Sequence, residues 1–220
     1  MVLEQNHSLS KKLHILYNWV DLEHHQSTNG IDFREKWNLS HPFVAVFAGV
    51  MGPSQYLELI IRVAESLQHR EDLLFLLVGG GVEKDNLIQS TQEKQLSNVR
   101  FENFVSRDDY SELLKICSVG LVCLSPKNKT PVIPGKILGY MAAGLPVAAF
   151  LHQASDGHAV IKDSGCGLSA DSADQESCVQ GINQLLDSSE MSQMGMAGRA
   201  YAEKYYSKEI CVNQMEALLK

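Results

Sequence analysis

The chain has 220 residues, 45% of them apolar and 20% charged, which is ample for one domain with a buried core. Its net charge of −7 argues against a grip on nucleic acid, which needs clustered cations to neutralise phosphates. No stretch approaches the ~18 consecutive apolar residues of a membrane span and the N-terminus is too polar for a signal peptide, so a cytoplasmic location is expected. Cys117, Cys123, Cys166, Cys178 and Cys211 are widely spaced with no C-x-x-C pair. They read as reduced structural thiols rather than disulfides or metal ligands.

Residues 1–40 read as a linker and inter-domain connection: a short strand over 13–17, a polar stretch over 24–32 and a Trp-bearing helix around 33–37. His24 and His25 are adjacent, cannot easily share one ion on regular structure, and read as surface loop. Residues 41–187 alternate β-rich apolar runs with amphipathic ones. Strands are expected at 43–48, 73–78, 119–124 and 146–150, apolar on both faces as in a covered parallel sheet, and the shorter runs 99–101 and 167–169 could add strands. Leu57, Ile60, Ile61, Ala64 and Leu67 recur at the spacing of one buried helix face. Leu113, Leu114 and Cys117 continue that pattern, as do Ile137, Tyr140 and Met141. Ser106 before Arg107, Asp108 and Asp109 makes an N-cap with acid in the first turn. Residues 172–187, 190–204 and 207–219 read as consecutive helices, so residues 188–220 form C-terminal helices packing on or beyond the domain. Tyr201, Tyr205 and Tyr206 are expected to face another domain. The order of elements implies an α/β fold with a doubly wound, Rossmann-like parallel sheet.

Ligands of such sheets bind at the carboxyl ends of the strands, where glycine admits phosphate to the backbone and helix N-termini attract it. Gly49, Val50, Met51 and Gly52 follow the first long strand, and Gly79, Gly80 and Gly81 follow the second. Both could equally be tight turns. Pro134 and Gly135 open a helix with Lys136 in its first turn, where a cation opposes the helix dipole unless an anion is present. A solvent-facing lysine is the plainer alternative. His152 and His158 flank Ser155-Asp156-Gly157 and read first as a solvated loop, second as lining for a sugar pocket.

These segments resemble the C-terminal, donor-binding domain of family-four retaining glycosyltransferases with the GT-B fold. Asn18-Trp19-Val20-Asp21 is similar to that family's N-G-V-D element, and Phe47-Ala48-Gly49 to its donor-site opening. Val78-Gly79-Gly80-Gly81 is similar to V-G-x-G. Asn98-Val99-Arg100-Phe101 with Phe104-Val105 is similar to N-V-x-F-x-G-x-V. Most specific is Pro134-Gly135-Lys136-Ile137-Leu138 followed by Tyr140-Met141-Ala142-Ala143-Gly144-Leu145-Pro146-Val147, which resembles P-x-K-x-x-E-Y-M-A-A-G-x-P-V.

The resemblance implies transfer of a sugar, with retention, from a nucleotide-diphosphate sugar to a glycan or lipid-linked acceptor in surface polysaccharide biosynthesis. It places the base near the backbone of Asn103, Phe104 and Val105. The diphosphate would lie near Gly49–Gly52 and Gly135–Lys136, and the ribose near Gly139. Gln55, Gly79, Gly80, Pro134, Ile137 and Leu138 complete the implied site. No metal and no cofactor are expected. The acceptor side would come from an N-terminal domain outside this chain, so the isolated chain is expected to be inactive. Peripheral membrane association is an expectation for the full-length enzyme. The pattern departs from the family at Gly139 and Pro131, where it places glutamates, and at Val50 and Gln55, where it places Arg and Lys. Those departures keep a second reading open, a non-catalytic nucleotide-sugar-binding or protein-interaction module. A sugar-nucleotide epimerase half fits the Tyr140–Gly144 segment less well.

Overall fold

The computed structural model describes residue 14, residues 16–23 and residues 29–218. Six parallel strands run in the order β3-β2-β1-β4-β5-β6: β1 Phe43–Val50, β2 Leu73–Gly80, β3 Val99–Glu102, β4 Val119–Cys123, β5 Val147–Leu151 and β6 Gly167–Asp171. The chain builds outward in one direction from β1 to β3, then returns to β4 and builds the other way. The reversal leaves a crevice at the carboxyl ends of β1 and β4.

Helices cover both faces. Leu59, Ile60 and Ile61 of α2 (Glu58–Ser66), Leu87 of α3 (Lys84–Glu93) and Ile182 and Leu185 of α7 (Gln175–Leu186) pack with Ala45, Phe47, Phe75 and Phe150 on one face. On the other, α1 (Phe33–Lys36), α4 (Arg107–Lys115), α5 (Gly135–Ala142), α6 (Gly157–Ser164) and α8 (Met191–Tyr206) pack against Val44, Val46, Leu76 and Ala149. Alternate residues of β1, β2, β4 and β5 enter opposite cores, which is why those runs carry no polar position. Full burial of each large side chain contributes roughly 1.5–3 kcal/mol. The N-caps are local: Ser106 accepts from the Asp109 amide, and Asp32 and Asp174 cap α1 and α7.

Two expectations change. His14, Leu16 and Tyr17 form no strand, and Leu13 and Ile15 lie outside the described residues. The opening segment instead meets the end of α8: the Val20 amide donates to the Tyr206 carbonyl at 2.9 Å, and Val20 bridges Ser207 just before α9 (Lys208–Leu218). Tyr206 is buried, with Tyr17 edge-on 5.3 Å away, so its ring packs within this chain rather than against another domain. The His24–His25 pair lies outside the described residues.

All five thiols are free; Cys123, Cys166, Cys178 and Cys211 are buried. Burial pushes the Cys178 thiol up to about 12, with Asp174 and Asp171 adding to it, and pushes Cys123 and Cys117 up further. A thiol reagent at pH 8 is therefore expected to spare those four until the chain is unfolded. In the unfolded chain thiols lose protons near ~8.5. Stability is thus complete below that pH and declines as pH rises toward about 12. Reagent titration and alkaline melting curves measure both; rapid labelling of the native protein would contradict the packing.

Candidate functional site

Between β1 and β4 the ladder stops early. The strands pair only at Ala45–Val119 and Val46–Gly120, although β1 continues to Val50 and β4 to Cys123. Tyr140, on α5, fills the gap. Its hydroxyl donates to the Val46 carbonyl at 3.2 Å and accepts from the Ala48 amide at 3.3 Å, replacing the strand that has turned away. Its ring lies on Gly120, where a Cβ would come within 2.4 Å of the ring carbons. Burial pushes the phenol well above the ordinary tyrosine range, so it stays a neutral donor. The crevice is wedged open by one side chain.

Lys136 stands four residues before Tyr140, on the same side of α5. A Cβ on Gly49 would lie 3.0 Å from its Cε and 3.2 Å from its Nζ, so the lysine runs directly against the end of β1. Its Nζ donates to Gln55 Oε1 at 3.0 Å and lies 4.8 Å above the Phe47 ring. Neither partner is charged, and burial lowers the ammonium's pKa below its usual value. Pro134, as N-cap, offers no side-chain bond to the helix. The amides of Gly135 and Lys136 have no acceptor among the described residues. A half-buried cation and two unpartnered helix-end amides thus belong to one helix turn, the kinds of group an anion site uses. A Cβ at Gly52, Gly135 or Gly139 would meet nothing within 4 Å, so the approach is open.

One cavity has Gly49 in its wall and another has Lys136. One, of about 450 Å³, is lined by Ala48, Gly49, Val78, Phe104, Val105 and Tyr110, with Val20 and Asp21 of the opening segment beside them. Asp21 pairs with Arg107 at 3.1 Å and closes one wall. Phe104 stands 61% exposed at the rim and Val50 63%. The other, of about 350 Å³, is bounded by Gln55, Val122, Leu124 and residues 132–136. A larger cavity of about 660 Å³ lies beyond the 52–56 turn; its wall carries Glu58, Glu83 and Lys127 and includes neither Gly49 nor Lys136.

The site residues expected from sequence lie at or near these strand ends, though several face the core or are engaged by the chain itself. Met51 is buried in the core and its amide donates to the Gly80 carbonyl at 2.8 Å. Ile137 and Leu138 are core residues as well. Gly79 does not face an opening: at φ +142 a Cβ there would lie 2.0 Å from the Gly49 carbonyl oxygen, so it is needed for packing two strand ends together. Gly80 lies under the Phe104 ring. The Asn103 side-chain oxygen is taken by Lys84, whose ammonium also reaches the carbonyls of Gly79 and Glu102 at 2.9 and 3.1 Å. Lys84 was not anticipated, yet it repeats the Lys136 signal of a cation in a helix's first turn. His152 is not in a solvated loop. It is 1% exposed, with both ring nitrogens unpartnered, and the hydroxyl of Ser172, the residue just past the end of β6, is likewise buried and unpartnered. His158 bonds Ser169 at 2.9 Å. Among the described residues no cluster of three or more His, Cys, Asp or Glu could hold a metal ion.

The family model for glycosyl transferases group 1 matches residues 31–201. A protein of Escherichia coli K12 described as a colanic acid biosynthesis glycosyl transferase, WcaI, is 26% identical over 202 residues, covering 90% of this chain and 49% of its own length. The chain therefore spans about half of that relative. HepE of Anabaena, solved in complex with UDP and glucose, superposes with a TM-score of 0.80 at 18% identity, over 94% of this chain and 56% of HepE. The C-terminal domain of a group 1 glycosyl transferase from Francisella tularensis superposes with a TM-score of 0.69 at 15% identity, over 86% of this chain and 99% of that domain. These likenesses place the fold as the C-terminal α/β half of the GT-B architecture.

Tyr140→Phe removes the hydroxyl and leaves a buried carbonyl and amide of β1 unpaired. A loss of about 1–3 kcal/mol in urea denaturation is expected, the cost of a buried unsatisfied polar group. A variant as stable as the parent would show that the wedge contributes nothing.

Proposed function

This chain belongs to the glycosyl transferases group 1 family, and on that footing we propose that it is the donor-binding half of a sugar transferase that uses a nucleotide-diphosphate sugar. One observation carries the reading. Lys136, in the first turn of α5, meets Gly49 at one point at the end of β1, with one cavity beside Gly49 and another along residues 132–136. The diphosphate would occupy that point, the base the cavity under Phe104, and the sugar the cavity along residues 132–136. Uridine is the base favoured, because HepE holds UDP on the same fold. As the bond from sugar to diphosphate breaks, negative charge grows on the leaving phosphate. Lys136 and the α5 amides, fixed in advance, stabilise that charge.

The acceptor site and the groups facing the reacting carbon belong, in this reading, to a further α/β half. The acceptor is a glycan or lipid-linked sugar of a surface polysaccharide, a role supported by the likeness to WcaI. A non-catalytic sugar-nucleotide-binding module is the second reading, favoured by the neutral Gln55 as the only side-chain hydrogen-bond partner of Lys136 among the described residues.

Calorimetric titration with UDP tests the site. Lys136→Met is expected to weaken binding roughly 10- to 100-fold, since a hydrogen bond to a charged group is worth ~1.5–3 kcal/mol. The melting temperature should hold. Affinity in the parent should be level through neutral pH and fall as pH rises through the lowered lysine pKa, below the usual 10.5. Absence of UDP binding at millimolar concentration would sink the proposal. Restored transfer on adding the missing half would separate the enzyme from the module.

A further inference from the structure

The larger cavity, of about 660 Å³, takes no part in the donor reading. It lies at the carboxyl edge of the sheet, among residues that follow β1, β2 and β4. Leu57 and Leu87 in its wall are buried apolar side chains, while Ser54, Glu58, Glu83, Lys127 and Asn128 line it with polar ones. None of those five side chains has a hydrogen-bond or ion-pair partner among the described residues. Glu83 and Asn128 are half-buried, so water alone serves them incompletely. The main chain holds the frame. The Ser125 amide donates to the Ser54 carbonyl at 2.9 Å, the Glu83 amide to the Met51 carbonyl at 3.1 Å, and the Asn128 amide to the Ser125 carbonyl at 3.0 Å. Tyr56, left-handed at φ 49, is fixed by Cys123 Sγ on its carbonyl at 3.4 Å and by Arg62 on its hydroxyl at 3.0 Å. The unspent side chains thus stand on a wall that is already ordered, which lowers the cost of binding.

The lining selects a chemistry. Two carboxylates only accept hydrogen bonds, so the ligand has to give hydrogens; Lys127 only donates, so the ligand has to accept as well. Phosphates and carboxylates have no hydrogen for the glutamates, and an ammonium has no acceptor for the lysine. A metal ion is no candidate, since the described residues hold no cluster of three or more His, Cys, Asp or Glu. Sugar hydroxyls give and accept together, and the C–H face of the ring suits apolar wall residues. The volume falls within the ~300–1,000 Å³ of ligand pockets. The cavity also adjoins the donor crevice. Ser54 and Tyr56 line it, while Gln55 between them lines the cavity beside Lys136 and bonds its ammonium. Resting on the donor-site reading for its role, we propose that this cavity is a second carbohydrate site, holding a ring of the acceptor glycan away from its reacting end. The reacting end itself lies with the further half, and Glu58, Glu83 and Asn128 hold the glycan on this one.

The 220-residue chain, isotope-labelled, is titrated with the methyl glycosides of glucose, galactose and N-acetylglucosamine, and separately with UDP, while NMR follows its backbone amides. At least one glycoside at millimolar concentration should shift Ser54, Glu83 and Asn128 and leave Gly49 and Lys136 in place. Glu83→Gln should weaken that binding roughly tenfold, the lower end of what a hydrogen bond to a charged group supplies. Asn128→Ala should weaken it too, with UDP affinity and melting temperature unchanged in both variants. Lys136→Met should do the reverse, weakening UDP and sparing the glycoside. Glycosides that bind only beside Lys136, or nowhere, overturn the inference and leave the donor reading standing. UDP that shifts Glu83 and Asn128 instead of Lys136 overturns both. Failure of UDP to bind sinks the donor reading and removes the acceptor role from a sugar still bound here.

Discussion

The hydroxyl of Tyr140 bonded to two backbone groups of β1 is the contact on which the rest of the site depends. Parallel strands pair wherever they can, because an unpaired buried amide is costly. A crevice at the reversal of a sheet therefore needs something to satisfy the edge it exposes. Here a phenol does so, and the missing side chain of Gly120 gives its ring somewhere to lie. The same helix that brings the phenol brings Lys136 one turn earlier. Opening the crevice and placing a cation in it are consequences of one docking event.

The cation's surroundings follow from that placement. Lys136 runs past Gly49 to a glutamine oxygen and an aromatic face, partners that orient an ammonium without neutralising it. Its charge stays partly desolvated and electrostatically unmet. Lys84 shows the contrast. It too opens a helix, but two carbonyls and an amide oxygen surround its ammonium, and it fastens the ends of β2 and β3 to each other.

The sheet was legible because its strands are apolar on both faces and its helices carry a regular buried stripe; the short β3 and β6, without such runs, were the harder ones to place. The residues around Lys136 were legible too, since a lysine in the first turn after Pro134 and Gly135 is a visible local conflict. Other features depend on partners distant in sequence. Nothing local tells that Tyr140 meets Gly120 rather than ordinary core, or that Met51, in a glycine-rich turn, points inward. His152 looked like loop because polar residues surround it, while the cover over the ends of β5 and β6 is a tertiary fact. At 13–17 the apolar residues suggested a strand, yet Tyr17 is spent on the ring of Tyr206.

Gly79 has no atom to offer a ligand, yet its bare α-carbon lets the Gly49 carbonyl rest against it, one strand away from the lysine. Even a methyl there would have to push the end of β1 toward α5. The crevice's geometry is thus hostage to a neighbour outside its lining, and harmful variants of such a protein would not cluster solely around the crevice.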